Sequence, residues 1–106
     1  MHTQPFGVTI SDPTVRARGD LDMAVTEELL ETIRALAQAT AHHAIVLDLA
    51  ELTFMDSTGI NLLIQSHQEL ERMGKELVIQ SIPDRIQRTL DIAGVVDYLN
   101  VRSALV

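Results

Sequence analysis

"AIVLDLAELTFMDSTGINLLI", residues 44–64, joins an apolar run to an amphipathic pattern through a polar hinge. Ala44 to Ala50 is apolar apart from Asp48. A short run without alternation reads as a central strand buried on both faces. From Ser57 onward Ile60, Leu63, Ile64, His67 and Leu70 recur at helical spacing, and Gly74 sits where helices end. The intervening "AELTFMDS" reads as a loop carrying Asp56 and Ser57. A buried strand that leads into a helix is half of a strand–helix–strand unit, and such units build parallel sheets with right-handed crossovers.

Working toward the C-terminus, Glu76 to Ser81 reads as a strand and "PDRIQRTLDIA" as a third helix. Pro83 suits that helix's first turn, Ile86, Leu90 and Ala93 give its apolar face, and Gly94 ends it. "VVDYL" reads as one more helical turn and "NVRSALV" as an extended tail. Working toward the N-terminus, "DLDMAVTEELLETIRALAQAT" is the strongest helical pattern, with Val25, Leu29, Ile33, Leu36 and Ala37 on one face. Glu27, Glu28 and Glu31 lie in its early turns, where the helix dipole favours anions. Ahead of it, Phe6 to Ile10 and Thr14 to Gly19 alternate like strands around the turn residues Ser11 to Pro13, which predicts a hairpin. The expected fold class is α/β: a mixed, mostly parallel sheet of four to five strands, an N-terminal β-hairpin and three to four helices. Residues 1–106 are expected to form a single domain, the usual size for one.

Composition narrows the function classes. Acids outnumber bases 15 to 8, for a net charge of −7. Such a surface repels phosphate backbones and anionic membranes, so neither nucleic acid nor membrane is an expected partner. Phe6, Phe54 and Tyr98 are the only aromatics, too few for base-stacking platforms. The absence of cysteine removes thiolate and disulfide chemistry. No signal-peptide pattern or long apolar run appears, so a cytoplasmic protein with protein partners is expected.

In an open parallel sheet, sites gather beyond the carboxyl ends of the strands. Two acidic loops are expected there: "GDLD", with Asp20 and Asp22, and "AELTFMDS", with Asp56 and Ser57. Neighbouring parallel strands would bring Asp20 and Asp22 close to Ser57. Ser57 opens a helix, whose first N–H groups can receive an anion. A phosphate there would add about −1.5 to −2 charges. A partner carboxylate ~6 Å away, at an effective dielectric of ~20, would then lose roughly 2–3 kcal/mol per unit charge. That is on the order of a hundredfold in affinity.

"LTFMDSTGINLLI" closely resembles the phosphorylated segment of bacterial anti-sigma factor antagonists, which have the STAS fold. Their pattern is a strand, an apolar residue, Asp-Ser-Ser/Thr-Gly and an apolar helix. "GDLD" resembles the family's Gly-Glu-Leu/Ile-Asp loop, with Asp20 in place of the usual Glu, and "IPDRIQRTLDIAGVVDYLNV" resembles its last helix and tail. The resemblance runs from about Phe6 to Val101. It implies that the unmodified protein binds an anti-sigma factor, a serine kinase with a histidine-kinase-like ATPase fold, and thereby frees a sigma factor. It implies phosphorylation of Ser57 by that kinase, release of the partner, and resetting by a PP2C-type phosphatase. The expected partner-binding set is Asp20, Asp22, Asp56, Ser57, Thr58, Gly59, Asn61 and Leu62. Asn61 stands where many members have a second glycine, which bears on partner choice.

Several plainer readings compete. Ser57 is also a favoured N-cap residue, and Thr58 is a second candidate acceptor. Asp20 and Asp22 suit capping of the preceding helix. Gly59 is either needed for close approach or merely tolerated, and Leu62 and Met73 fall off the core stripe of their helix. His42 and His43 lack metal-ligand spacing, and His67 is expected to pack rather than react. Asp56 as a receiver-type phosphoacceptor lacks its lysine and metal pocket. There is no G-x-S-x-G elbow and no Gly-rich phosphate loop, so a substrate of enzymes is expected rather than an enzyme, with no cofactor or metal. The alternative function is a constitutive scaffold of the same fold in a lipid-transport or stress-signalling assembly. A small-ligand module has only the strand-end cleft in its favour.

Overall fold

The computed structural model describes residues 4–102. Five strands lie in the order β1-β2-β3-β4-β5, which is also their order in the chain. They are β1 (Gly7–Ser11), β2 (Thr14–Leu21), β3 (Ala44–Met55), β4 (Glu76–Gln80) and β5 (Val101–Arg102). β1 pairs antiparallel with β2, and every later pair is parallel. The helices α1 (Thr26–Ala39), α2 (Ser57–Arg72) and α3 (Asp84–Ala93) make the three crossovers. Because the strand order never reverses, right-handed crossovers put all three helices on one face of the sheet. The mixed, mostly parallel sheet and the N-terminal hairpin are as expected.

The central strand differs most from its expectation. β3 does not stop at Ala50 but continues to Met55. Leu52 and Met55 keep burying toward the core, while Glu51 and Thr53 face solvent. The pairing with β2 is irregular there. Arg16 to Arg18 of β2 opposes Asp48 to Glu51 of β3, and Gly19 to Asp20 opposes Leu52 to Phe54. At each place β3 holds one residue more than its partner, which bends it and increases its twist. The unbroken apolar run ends at Ala50, where Glu51 brings in polar residues, and a reading based on that run stops the strand there. Asp20 is corrected with it: the residue belongs to β2 and not to the loop that follows.

The core is aliphatic. Val15, Ala17 and Leu21 of β2, Ile45, Leu47, Leu49, Leu52 and Met55 of β3, and Leu77 and Ile79 of β4 are buried with Leu29, Leu30, Ile33, Leu63, Leu70, Ile86 and Leu90 from the helices. The buried stripe of α2 is Gly59, Leu62, Leu63, Ser66 and Leu70, while Ile60 and Ile64 are only half-buried. This corrects Leu62, which was expected off the stripe and is 3% exposed. α2 packs on both α1 and the sheet, so its buried arc is wider than one stripe. Met73 does stay exposed. α2 ends with Lys75 N–H donating to Leu70 O at 2.8 Å and Gly74 N–H donating to Glu71 O at 3.0 Å; Gly74 takes φ +75° for that turn. "VVDYL" forms a single turn closed in helical fashion, with Leu99 N–H donating to Val95 O at 3.0 Å. Of the tail, Val101 and Arg102 form β5, and residues 103–106 lie outside the described residues.

A bidentate ion pair joins α1 to α2. Arg34 Nε and Nη2 donate to Glu69 Oε1 and Oε2 at 2.8 and 3.0 Å. Hydrogen bonding from Arg34, with a further one from Gln65, holds the Glu69 carboxyl below its ordinary value of 4.5 against the opposing effect of burial. A group depressed in the folded state stabilises the fold above its unfolded pKa, and that contribution fades as pH falls through the folded one. Urea titrations of wild type and Glu69→Gln are therefore expected to differ at pH 7 and to converge as pH drops below 4.5. In the same helix, the Ser66 hydroxyl is buried and makes no hydrogen bond to the described residues. Ser66→Ala removes an unsatisfied polar group and improves helix propensity, so its urea midpoint is expected to rise, by about 0.5–1 kcal/mol in stability.

Candidate functional site

The bent end of β3 delivers the chain into α2 next to the end of β2. Leu21 pairs with Met55, so Asp22 and Asp56 are the first residues past two neighbouring strand ends. The ends of the two acidic segments lie side by side, whereas Asp20, expected close to Ser57, pairs with Phe54 and bonds Thr53 and Gln4.

Asp56, not Ser57, caps α2. Its Oδ1 accepts from Thr58 N–H at 2.9 Å and from Gly59 N–H at 3.3 Å. The Thr58 hydroxyl donates to the same oxygen. Two amide groups expected to be available to an anion on Ser57 are therefore already held by a carboxylate. Ser57 is the first helical residue, is exposed, and its hydroxyl has no hydrogen-bond partner among the described residues. The plain N-cap reading of Ser57 is thereby replaced: the capping work belongs to the preceding residue.

Gly59 is buried on the inner side of this turn. A Cβ there would stand 2.5 Å from Met55 Cγ and 3.3 Å from Leu21 Cδ2. The residue is thus required for close approach, and it seats α2 against the paired ends of β2 and β3.

The other candidates separate into engaged and open groups. Asp20 is 8% exposed and turned along the sheet. It accepts from the Thr53 hydroxyl at 2.6 Å and from Gln4 N–H at 3.2 Å, so its carboxylate is committed to structure. Asp22 is half-buried and accepts from Ala24 N–H at 3.0 Å; it shapes the turn before α1 but does not cap the helix, whose N-cap is Val25. Asn61 is exposed. It lines a groove of about 200 Å³ between α1 and α2, together with Thr26, Glu27, Leu30, Thr58, Leu62 and Gln65. Leu62 forms part of that groove's apolar floor rather than an exposed contact. The sequence shows Glu27 only as an acid in the first turn of a helix and gives Thr26 no role, because only the packing of α1 on α2 brings them beside Thr58.

His42 and His43 are exposed, and among the described residues no group of three or more His, Asp or Glu side chains is placed to hold a metal ion. His67 packs edge-on to Tyr98 at a centroid distance of 4.9 Å. No described helix is long and apolar enough to cross a membrane.

A family model described as the STAS domain matches residues 7–106. The chain belongs to the STAS domain family. A curated relative from Staphylococcus epidermidis, an anti-sigma-B factor antagonist, is 34% identical over 87 residues, spanning 82% of this chain and 80% of the relative. Two solved structures share the fold. The anti-sigma factor antagonist SpoIIAA in its unphosphorylated form aligns at a TM-score of 0.73 and 22% identity, over 94% of this chain and 88% of that one. The Bacillus cell fate determinant SpoIIAA in its phosphorylated form aligns at 0.67 and 22% identity, over 94% and 91%.

The tight seat at Gly59 in this STAS domain gives a prediction of sign. Glycine to alanine inside a helix ordinarily gains about 0.8–1 kcal/mol. Overpacking a filled core costs roughly 1–3 kcal/mol. With Met55 buried and in the way, Gly59→Ala is expected to be net destabilising, read as a lowered urea midpoint.

Proposed function

We propose that this STAS domain is an anti-sigma factor antagonist whose binding is switched by phosphorylation of Ser57. The observation that carries the proposal is the state of the hydroxyls and carboxylates around the turn. Thr53 is held by Asp20 and Thr58 by Asp56, while Ser57 projects into solvent with its hydroxyl unengaged. The family membership and the named function of the 34% relative supply the class of partner.

In this reading the unmodified protein docks on an anti-sigma factor that is itself a serine kinase with a histidine-kinase-like ATPase fold, and so releases a sigma factor in the cytoplasm. The docking face comprises the exposed part of the turn, Asp22, Asp56, Ser57 and Thr58, with Asn61 on the next helical turn. Gly59 acts from beneath by seating the helix, Leu62 by flooring the groove, and Asp20 by bracing the end of β2. Modification transfers a phosphoryl group from a nucleoside triphosphate. Ser57 Oγ bonds to the γ-phosphorus, the bond from that phosphorus to the β,γ-bridging oxygen breaks, the nucleoside diphosphate leaves, and the hydroxyl proton passes to a base on the kinase.

The switch needs little movement. The new charge of about −1.5 to −2 lands beside the Asp56 carboxylate, which already occupies the nearest amides. With those amides taken, the phosphate faces solvent and any docked partner. A partner carboxylate ~6 Å away loses roughly 2–3 kcal/mol per added charge. A PP2C-type phosphatase restores the neutral hydroxyl. The test is calorimetric titration of the cognate anti-sigma factor with two variants. Ser57→Ala is expected to bind like the unmodified protein and Ser57→Asp to bind on the order of a hundredfold more weakly. Equal affinities would remove the switch.

A further inference from the structure

We infer that Asp56 is a positioning residue that decides which of two adjacent hydroxyls is phosphorylated. The inference rests on the switch proposed above and concerns its selectivity. Ser57 and Thr58 are neighbours in the chain, and a kinase that reaches one comes within a residue of the other. Sequence alone leaves both as acceptors.

The geometry treats them differently. Asp56 Oδ1 takes the Thr58 hydroxyl together with Thr58 N–H and Gly59 N–H, three donors on one oxygen. Thr58 is half-buried at the edge of the α1–α2 groove, beside Thr26 and Leu62. For Thr58 to accept a phosphoryl group, its hydroxyl must leave Asp56 and turn outward for in-line attack. That breaks a charge-assisted hydrogen bond, roughly twice as strong as a neutral one. An incoming phosphoryl group would also meet the carboxylate's charge at contact distance. Ser57 has no such bond to break and is not held against Oδ1: its hydroxyl is exposed and bonded to no described residue. The carboxylate thus closes one acceptor and, by capping α2 itself, leaves the other free of a structural duty.

The products differ as well. A phosphate on Ser57 leaves the cap intact. A phosphate on Thr58 would compete with Asp56 for the amides and disturb the first turn of α2. Confining modification to Ser57 lets the surface charge change while the fold is held.

The test is site-resolved phosphopeptide mapping of protein produced in its native host, with a fragmentation method that separates adjacent residues. The wild-type chain should carry phosphate on Ser57 with Thr58 at background. Ser57→Ala, an exposed and fold-neutral change, should carry none. In Asp56→Gly, phosphate should appear on Thr58 as well as Ser57, and in Asp56→Gly with Ser57→Ala on Thr58 alone, at least about tenfold above the Ser57→Ala level, the order set by one charge-assisted hydrogen bond. Glycine is a tolerated N-cap. Should it nonetheless fail to fold by circular dichroism, Asp56→Asn keeps a capping oxygen without the charge and should give a smaller rise in the same direction. A purely structural role for Asp56 would lower stability without moving phosphate between sites. Three results overturn the inference: Thr58 phosphorylated in Ser57→Ala as strongly as in the double variant, Ser57 alone phosphorylated in folded Asp56→Gly, or neither residue phosphorylated there, since the carboxylate would then promote modification rather than confine it. A wild-type chain bare of phosphate under all conditions would instead remove the switch, and this inference with it.

Discussion

The geometry around Ser57 depends on the parallel pairing of β2 with β3, carried through two irregularities to its last rung, Leu21 with Met55. Had the pairing ended at Ala50, where the apolar run ends, α2 would begin from a loose loop and its first residue would have no fixed place. Instead the two strand ends form a floor. Gly59 lies on that floor, with no room for a Cβ against Met55 and Leu21. The start of α2 is thereby set relative to the sheet by backbone hydrogen bonds and packing, before any polar side chain takes part. A site that must present one hydroxyl benefits from rigid elements beneath it.

Upon that floor the polar side chains divide their duties. Asp20 braces the end of β2 through Thr53 and Gln4, Asp22 shapes the turn into α1, and Asp56 caps α2 while holding Thr58. Each carboxylate has a local partner, so an acidic corner of a protein with net charge −7 is nonetheless locally ordered. Ser57 is the exception, and its lack of a structural task is what makes it available. The Arg34–Glu69 pair does comparable work further along α2, fixing that helix against α1 and with it the groove that adjoins Thr58.

Much of this was readable from residue patterns, for reasons that particular segments make clear. Leu29, Ile33 and Ala37 are buried on α1 as their spacing predicts, whereas Val25 at its N-cap and Leu36 are only half-buried and Leu30 is buried as well, because α1 packs on α2 as well as on the sheet. The continuous run from Ala44 to Ala50 gave a central strand, and Asp-Ser-Thr-Gly before an apolar helix pointed to the family and to the candidate site. The rest depended on tertiary structure. The second half of β3 was hidden because its polar residues Glu51 and Thr53 end the apolar run that marks a strand buried on both faces. Leu62 was misplaced because α2 has two neighbours, which no single-helix periodicity reveals. Ser57 was read as a candidate cap because serine is a favoured one, and only the structure shows the carboxylate of Asp56 taking that role one residue earlier. The paired roles of Thr53 with Asp20 and Thr58 with Asp56 follow from side chains meeting across elements or turns, and spacing alone does not order them.

In the proposed switch the fold displays Ser57 as a reversible phosphoacceptor. The decisive measurement is intact mass of the chain purified from its native host, before and after phosphatase treatment and beside Ser57→Ala. A fraction heavier by one phosphoryl group is expected, which phosphatase removes and the alanine variant never acquires. A single unmodified mass in wild type under growth and stress alike would contradict it, and would leave Asp56 and Gly59 as parts of a helix start with no switch built upon it.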